Sequence, residues 1–191
     1  MRVIVRSFNE LNFDESFVLP TKVQQRLSKK KNKQLFRQSH LAYCLLLKVL
    51  REEFSISNSE ILFTDTGKPY LENGPYFSIS HSGDYIAVAV SSREIGVDIE
   101  EISDFKESVA DKYFSETERE YIFKGNKNIN FFKLWTAKEA IIKKQGITMK
   151  ELSKLELIPT FNGFLHENTR VITKTTENYV ISVSFDEKTD F

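Results

Sequence analysis

The middle of the sequence contains three β-rich runs separated by short polar turns. The runs occupy residues 76–80, 85–91 and 95–101, and His81-Ser82-Gly83-Asp84 and Ser92-Arg93-Glu94 connect them. Connections of three or four small or polar residues are typical of β-hairpins. Because a hairpin joins neighbouring antiparallel strands, the spacing predicts a three-stranded antiparallel meander.

Helical patterns flank this β-rich region on both sides. After Pro20 the periodicity predicts one or two helices, and their apolar part at residues 41–50 is expected to be buried. Ser115-Glu116-Thr117-Glu118 is a capping-box pattern that predicts a helix to Phe123. Further helices are expected at residues 105–114 and 130–145, the second capped by Gly146, and further strands at residues 1–8, 154–161, 171–174 and 179–185.

The order strand, helices, strands, helices, strands occurs roughly twice along the chain. This order predicts an α+β fold with an N-terminal α+β half at residues 1–102 and a C-terminal α+β half at residues 103–191. No linker rich in proline, glycine or serine separates the two halves. We therefore expect them to share an extensive interface.

The composition excludes several classes of protein. With 191 residues, of which 40% are hydrophobic, the chain can bury a globular core and is not a disordered segment. Basic and acidic residues both number 27, so the charge balance gives no reason to expect nucleic acid or an anionic membrane as a partner. Cys44 is the single cysteine and cannot form an intrachain disulfide, and residues 1–6 are too few and too charged for a signal-peptide core. The prediction is a cytoplasmic protein, taken to be a monomer.

Two carboxylates alternate with apolar residues in the third β-rich run. Strand alternation sends Val97 and Ile99 to one face, and it sends Asp98 and Glu100 to the other, about 6–7 Å apart. Carboxylate oxygens, with phosphate and water, are the ligands that Mg²⁺ prefers. Taken alone, the spacing rather favours an exposed acidic face of an edge strand. The apolar opposite face indicates instead a packed strand whose acidic face is fixed.

A third carboxylate and a lysine share one face of the helix expected at residues 130–145. Trp135, Glu139 and Lys143 recur at four-residue spacing and therefore form one stripe. Taken alone, Glu139 and Lys143 are an ordinary helix ion pair, and Trp135 is a core anchor. The stripe is functional only if the helix brings Glu139 to the other two carboxylates.

Two turns and one helical segment carry groups that can bind anions. Ser80 and His81 can donate hydrogen bonds to phosphate, although a single loop histidine is more often structural. Lys68 and Pro69 lie in a turn from which the lysine is free to reach an anion. Residues 22–37 contain seven lysines and arginines and no acid, so this segment is a candidate for binding an anion. The alternative explanation is a solvated helix face.

Taken in order, these pieces resemble the 4′-phosphopantetheinyl transferases of the surfactin-synthetase type. The motifs that carry the resemblance are Gly67-Lys68-Pro69, Phe77-Ser78-Ile79-Ser80-His81-Ser82, Gly96-Val97-Asp98-Ile99-Glu100, Tyr113-Phe114-Ser115-x-x-Glu118 and Trp135-x-x-Lys138-Glu139-Ala140-x-x-Lys143. The resemblance implies a pseudo-dimer of two similar α+β halves, each an antiparallel sheet packed with helices. Coenzyme A and the active site are then expected at the interface of the halves.

The resemblance also implies a reaction. The enzyme would transfer the 4′-phosphopantetheine moiety of coenzyme A to a serine of an apo acyl carrier or peptidyl carrier protein, with Mg²⁺ as cofactor and release of 3′,5′-ADP. The metal ligands implied are Asp98, Glu100 and Glu139. The resemblance implies His81 and Lys143 at the pyrophosphate. Glu139 is expected to be the base, either directly or through a metal-bound water, because its helix can place it between the metal and the serine hydroxyl. The remaining contacts implied are Lys68 and Pro69 at the adenine and Ser80 at the 3′-phosphate.

One departure from the family concerns the 3′-phosphate. Many members carry an arginine near the start of the buried N-terminal helix, whereas the stretch at residues 40–44 contains none. The candidates to replace it are Lys30, Lys31, Lys33 and Arg37. The resemblance also implies an acidic carrier protein, and the lysines expected to form a complementary patch around the cleft are Lys124, Lys127, Lys133, Lys144 and Lys150.

Two other functions are compatible with the same residues. A Mg²⁺-dependent phosphoesterase would use the three acids to hydrolyse a nucleotide, and it would turn over coenzyme A without a protein acceptor. A non-catalytic coenzyme A-binding module is favoured if Glu139 cannot reach Asp98 and Glu100.

Overall fold

The structure is a computed structural model that describes residues 1–11, 18–57 and 60–187, and it has the predicted α+β architecture. The strands are β1 (Arg2–Ser7), β2 (Ile61–Phe63), β3 (Pro69–Leu71), β4 (Tyr76–Ser82), β5 (Tyr85–Ser91), β6 (Ile95–Glu101), β7 (Ile158–Thr160), β8 (Gly163–His166), β9 (Thr169–Thr175) and β10 (Tyr179–Asp186). The helices are α1 (Thr21–Leu27), α2 (Lys33–Phe54), α3 (Glu107–Tyr113), α4 (Glu116–Phe123) and α5 (Lys127–Gln145), with 3-10 turns at Phe8–Glu10 and Met149–Lys154. Within these ranges, no helix combines the length and the apolar character needed to cross a bilayer.

The first sheet has the strand order β1-β5-β4, and its neighbouring strands are antiparallel. On β5, Ile86 and Val88 pack in one apolar cluster with α1 and α2. Ala87 and Ala89 point to the opposite face and pack in a separate cluster with residues of the second sheet. Burial on both faces explains why β5 is a continuous apolar run rather than an alternating one.

The second sheet has the order β6-β10-β9-β8-β7 and is also antiparallel. Since β6 pairs with β10 and not with β5, the predicted three-stranded meander is wrong, and only β4 and β5 form the expected hairpin. The reason is burial, because this pairing places Val97 and Ile99 in the apolar layer between the sheets. The last strand of residues 1–102 therefore belongs to the sheet built mainly from residues 158–186, and the division of the chain at residue 102 stays a prediction.

Helix α5 packs unusually close to β6. A Cβ atom at Gly96 would lie 1.9 Å from the carbonyl oxygen of Ala140, so only glycine permits this approach. Ser184 on β10 donates a hydrogen bond of 2.7 Å to the same carbonyl oxygen. Small residues on β6 and β10 thus set the depth of α5 against the sheet, and β6 and α5 both carry site residues.

The predicted helix ends in the C-terminal part of the chain are confirmed. Ser115 accepts a hydrogen bond from the backbone of Glu118, and Glu118 accepts one from the backbone of Ser115, which completes the capping box. Gly146 caps α5 in the left-handed region with φ of 67°. The strand expected at residues 154–161 is reduced to β7, because a 3-10 turn occupies its first residue, and β8 was not predicted.

Candidate active site

A cavity of about 390 Å³ lies where α1, α2, β4, β6 and α5 meet. Its wall joins elements that are far apart in sequence, so folding is what brings these residues together. Of the residues predicted for the site, the wall includes Lys30, Pro69, Ser80, His81, Asp98, Glu100, Glu139 and Lys143, and it does not include Lys31, Lys68 or Arg37.

Three carboxylates form the acidic wall of this cavity. Asp98 and Glu100 point from the same face of β6, and α5 brings Glu139 to them, so that one oxygen of each lies within 4.8 Å of the others. The side chain of Asp98 is 1% exposed, and its Oδ2 atom has no hydrogen-bond partner among the described residues. A buried carboxylate oxygen without a donor is costly unless a cation compensates it. The three carboxylates therefore fit a Mg²⁺ ion, which takes oxygen ligands.

Lys143 neutralises part of this acidic wall. Its Nζ atom donates to Asp98 Oδ1 at 2.5 Å and to Ser80 Oγ at 2.8 Å. Ser80 in turn donates to Asp98 Oδ1 at 2.7 Å. Because these two donors occupy Oδ1, the Oδ2 atom of Asp98 remains for a metal ion. The hydroxyl of Ser80, which was predicted at the 3′-phosphate, belongs in this structure to the acid cluster.

The crowding of the acids raises the pKa values of two of them. Burial, and then the negative charge of Asp98, raises the pKa of Glu100 to about 7. The same two causes, in the same order, raise the pKa of Glu139 to about 8, although Lys143 opposes the shift. Without a metal ion, Glu100 and Glu139 therefore keep their protons at pH values where ordinary carboxyl groups, with a pKa of 4.5, have released them.

Mg²⁺ is expected to stabilise the protein more strongly as the pH rises. In the folded, metal-free protein, Glu100 and Glu139 hold protons that the unfolded chain releases above pH 4.5, so the contribution of these two groups to stability should fall as the pH rises towards 8. Metal binding needs the deprotonated carboxylates and is favoured in the same direction. The measurement is the Tm at pH 5, 6.5 and 8.5 with EDTA or with Mg²⁺. An increment from Mg²⁺ that is the same at all three pH values, or that persists in Asp98→Asn, would contradict the assignment.

His81 sits on the edge of the cavity between α2 and the acid cluster. Its Nε2 atom lies 2.9 Å from Ser39 Oγ. Burial, followed by the positive charges of Lys30 and Lys143, lowers the pKa of His81 to about 4. The imidazole is therefore neutral at pH 7 before a ligand binds, and a phosphate beside it would oppose this shift.

The turn that carries the first motif borders the cavity with two of its three residues. Gly67 and Pro69 line the wall. The ammonium group of Lys68 points away and donates to the carbonyl oxygen of Lys144 near the end of α5, while burial lowers the pKa of Lys68. Lys68 lines a smaller adjoining cavity of about 230 Å³ instead. In this structure, its first role is to hold the turn against α5.

Two cations, Arg26 and Lys30, form a basic part of the cavity wall, called the basic wall below. Lys30 and Arg26 both line the cavity, at and just after the end of α1. Arg26 also lies over the ring of Phe63 at 4.7 Å, and its charge acts on Tyr43, another wall residue. Arg26 was not among the residues predicted for the site. The available signal was its position directly before Leu27, which with Val23 forms the buried side of α1. Lys31 and Arg37 are exposed.

Comparison with known proteins supports the resemblance seen in the motifs. A family model described as the 4′-phosphopantetheinyl transferase superfamily matches residues 94–187. The chain is 38% identical over 116 residues to 4′-phosphopantetheinyl transferase gsp of Aneurinibacillus migulanus, covering 57% of this chain and 48% of the relative. It is 33% identical over 142 residues to 4′-phosphopantetheinyl transferase ffp of Bacillus subtilis, covering 71% and 61%.

A third relative is matched over most of its length. The chain is 30% identical over 163 residues to 4′-phosphopantetheinyl transferase Sfp of Bacillus subtilis (strain 168), covering 82% of this chain and 70% of the relative. For the first two relatives, the match spans less than two thirds of their own length. The family match includes the acidic strand β6 and the whole of α5, which supply Asp98, Glu100, Glu139 and Lys143. The chain belongs to the 4′-phosphopantetheinyl transferase superfamily.

Proposed function

We propose that this protein is a Mg²⁺-dependent transferase that moves the 4′-phosphopantetheine moiety of coenzyme A to a serine of an apo acyl carrier or peptidyl carrier protein. The observation that carries the proposal is the carboxylate cluster of Asp98, Glu100 and Glu139, whose Asp98 Oδ2 atom is buried without a donor among the described residues. The relatives named above carry the transferase activity in their names.

The charges of the cavity fit the pyrophosphate and the 3′-phosphate of coenzyme A. Asp98, Glu100 and Glu139 would hold Mg²⁺, and Lys143 beside them would contact the pyrophosphate. Arg26 and Lys30 on the basic wall would bind the separate 3′-phosphate. They would thereby replace the arginine that residues 40–44 lack. Pro69, which also lines the cavity, would offer an apolar surface to the adenine.

The residues of this chain divide the chemistry between them. When bound, Mg²⁺ supplies positive charge to the pyrophosphate oxygens and to the leaving group. Lys143 stabilises the same developing negative charge, because its ammonium group is already fixed by Asp98 and Ser80. Glu139 accepts the proton of the incoming serine hydroxyl, directly or through one water. The serine oxygen then forms the new bond to phosphorus, while the bond from phosphorus to 3′,5′-ADP breaks.

His81 would donate a hydrogen bond to a pyrophosphate oxygen. A neutral imidazole has one N–H group, so Ser39 and the ligand compete for it unless the Ser39 hydroxyl is the donor to Nε2. A bound phosphate favours the charged form, in which both nitrogens donate. His81 therefore contacts the ligand, and it does not act as the base.

The experiment that separates the transferase from other enzymes follows the nucleotide product. The protein is incubated with coenzyme A and Mg²⁺, with and without an apo acyl carrier protein, and 3′,5′-ADP is quantified by chromatography. Release that depends on the carrier supports the transferase. Release without a carrier indicates a phosphoesterase, and no release in either case indicates a binding module.

A cytoplasmic location and a monomeric state remain part of the proposal.

A further inference from the structure

We infer that the start of α2 is a docking surface for the acidic face of the protein acceptor. This surface, called the α2 lip below, consists of Lys31, Lys33, Leu35, Phe36 and Arg37. The inference rests on the proposed transfer reaction, because it assigns where the acceptor binds rather than what the enzyme does to it.

The position of the lip follows from two contacts that fix α2 beside the cavity. Gln38 Nε2 donates to the carbonyl oxygen of Gly83 at 2.8 Å, in the turn between β4 and β5. Ser39 Oγ lies 2.9 Å from His81 Nε2, and both residues line the cavity. Leu35 and Phe36 precede Ser39 by four and three residues, so they lie on the same side of α2 and about 5.4 Å further along the helix axis. The apolar pair of the lip, Leu35 and Phe36, therefore lies beside the cavity, and the charged residues Lys31, Lys33 and Arg37 flank this pair.

Two large apolar side chains are exposed on this lip. Leu35 is 45% exposed and Phe36 is 39% exposed, whereas Leu41 and Leu45 further along α2 are buried. Single exposed apolar residues are common on protein surfaces. An adjacent pair beside a catalytic cavity is different, because apolar and aromatic side chains are the usual anchors at the centre of a protein interface.

The charges around this pair have no counter-charge among the residues that the structure describes. Lys31, Lys33 and Arg37 are exposed and have no acidic partner within the part of the chain that the structure describes. The first turn of α2 contains no acid, and lysine at a helix start is unfavourable because the N-terminus carries partial positive charge. By contrast, Lys22 at the other end of the basic segment pairs with Glu60 at 3.2 Å. An acidic partner would compensate the charges of the lip.

The alternative surface in the C-terminal part of the chain is less suited to this role. Lys144 is 4% exposed and pairs with Asp186, so it cannot face a carrier protein, and the expectation for this residue is wrong. Lys127 already pairs with Glu107 at 3.3 Å. Lys124 and Lys150 are exposed and are the remaining candidates on that side.

The test compares two lip variants with matched controls. The lip variants are Lys31→Glu/Lys33→Glu and Leu35→Ser/Phe36→Ser, and the controls are Arg93→Glu/Lys174→Glu and Phe161→Ser at exposed positions outside the cavity. We measure transfer kinetics with an apo acyl carrier protein as the probe, and the Kd for coenzyme A by calorimetry. Each lip variant is expected to raise the KM for the carrier roughly tenfold or more, with the Kd for coenzyme A unchanged. For the charge variant, the loss should shrink in 0.5 M NaCl because salt screens exposed charges.

Each other outcome has a distinct meaning. A KM for the carrier that is unchanged in both lip variants, or changed equally in the controls, overturns the inference while the transfer reaction stands. Weaker coenzyme A binding in the charge variant would mean that these lysines read a phosphate of the substrate, and it also overturns the inference. Binding of the wild type, but not of the lip variants, to anionic phospholipid vesicles without any effect on the KM would assign the lip to a membrane surface. Absence of transfer by the wild type contradicts the proposed function itself.

Discussion

Asp98→Asn is expected to lower kcat/KM for transfer on the order of 10²–10³-fold while the fold stays intact. The substitution keeps the shape of a side chain that is 1% exposed, but it removes the charge that pairs with Lys143 and that would bind the proposed metal ion. Steady-state kinetics at saturating Mg²⁺, together with the Tm of each variant, measure the effect. Glu139→Gln should show a comparable loss, because it removes a metal ligand and the proposed base at once.

A matched control distinguishes this loss from a general effect of charge on β6. Glu101→Gln changes the next acid of the same strand, which is exposed and lies outside the carboxylate cluster. It should keep nearly full activity. Wild-type kinetics in Asp98→Asn, or an equal loss in Glu101→Gln, would contradict the role of the cluster.

Lys138→Ala is expected to destabilise the protein by about 3–5 kcal/mol, the usual cost of leaving a buried charge without its partner. Lys138 and Glu118 have side chains that are 0% and 3% exposed, and their charged atoms are 2.7 Å apart. Lys138 also donates to the carbonyl oxygen of Tyr113 at 3.0 Å, and Glu118 accepts from the backbone of Leu157 at 3.1 Å. The pair therefore joins α4, α5 and the chain before β7. Urea unfolding followed by circular dichroism measures the loss.

The double variant Lys138→Met/Glu118→Gln provides the control. It removes both charges and leaves no unpaired ion, so its loss of stability should be clearly smaller than that of Lys138→Ala. If the free energy of unfolding of Lys138→Ala differed from that of the wild type by less than about 1 kcal/mol, the pair would not hold these elements together.

Local patterns predicted the parts of the structure that depend on local physics. The capping box of Ser115 and Glu118 and the left-handed cap at Gly146 need only neighbouring backbone groups, and both are present. The alternation at residues 97–100 also placed Asp98 and Glu100 on one face of a strand with an apolar opposite face. These features were visible because each is decided within a few residues.

Features that depend on distant contacts could not be predicted in the same way. The three residues after β5 have hairpin length, yet β6 leaves the first sheet because Val97 and Ile99 gain burial between the two sheets. Similarly, Arg26 is one of seven basic residues in its segment, and only the packing of α1 beside the cavity distinguishes it from the others. The ammonium group of Lys68 holds the end of α5, a contact with a residue 76 positions away.

The most direct test of the proposed transfer is the intact mass of an apo acyl carrier protein after incubation with coenzyme A, Mg²⁺ and this protein. We predict a mass increase equal to one 4′-phosphopantetheine group, located on one serine, that disappears when EDTA is added or when Asp98→Asn replaces the wild type. An unmodified carrier under conditions in which the wild-type protein is folded and binds coenzyme A would contradict the account.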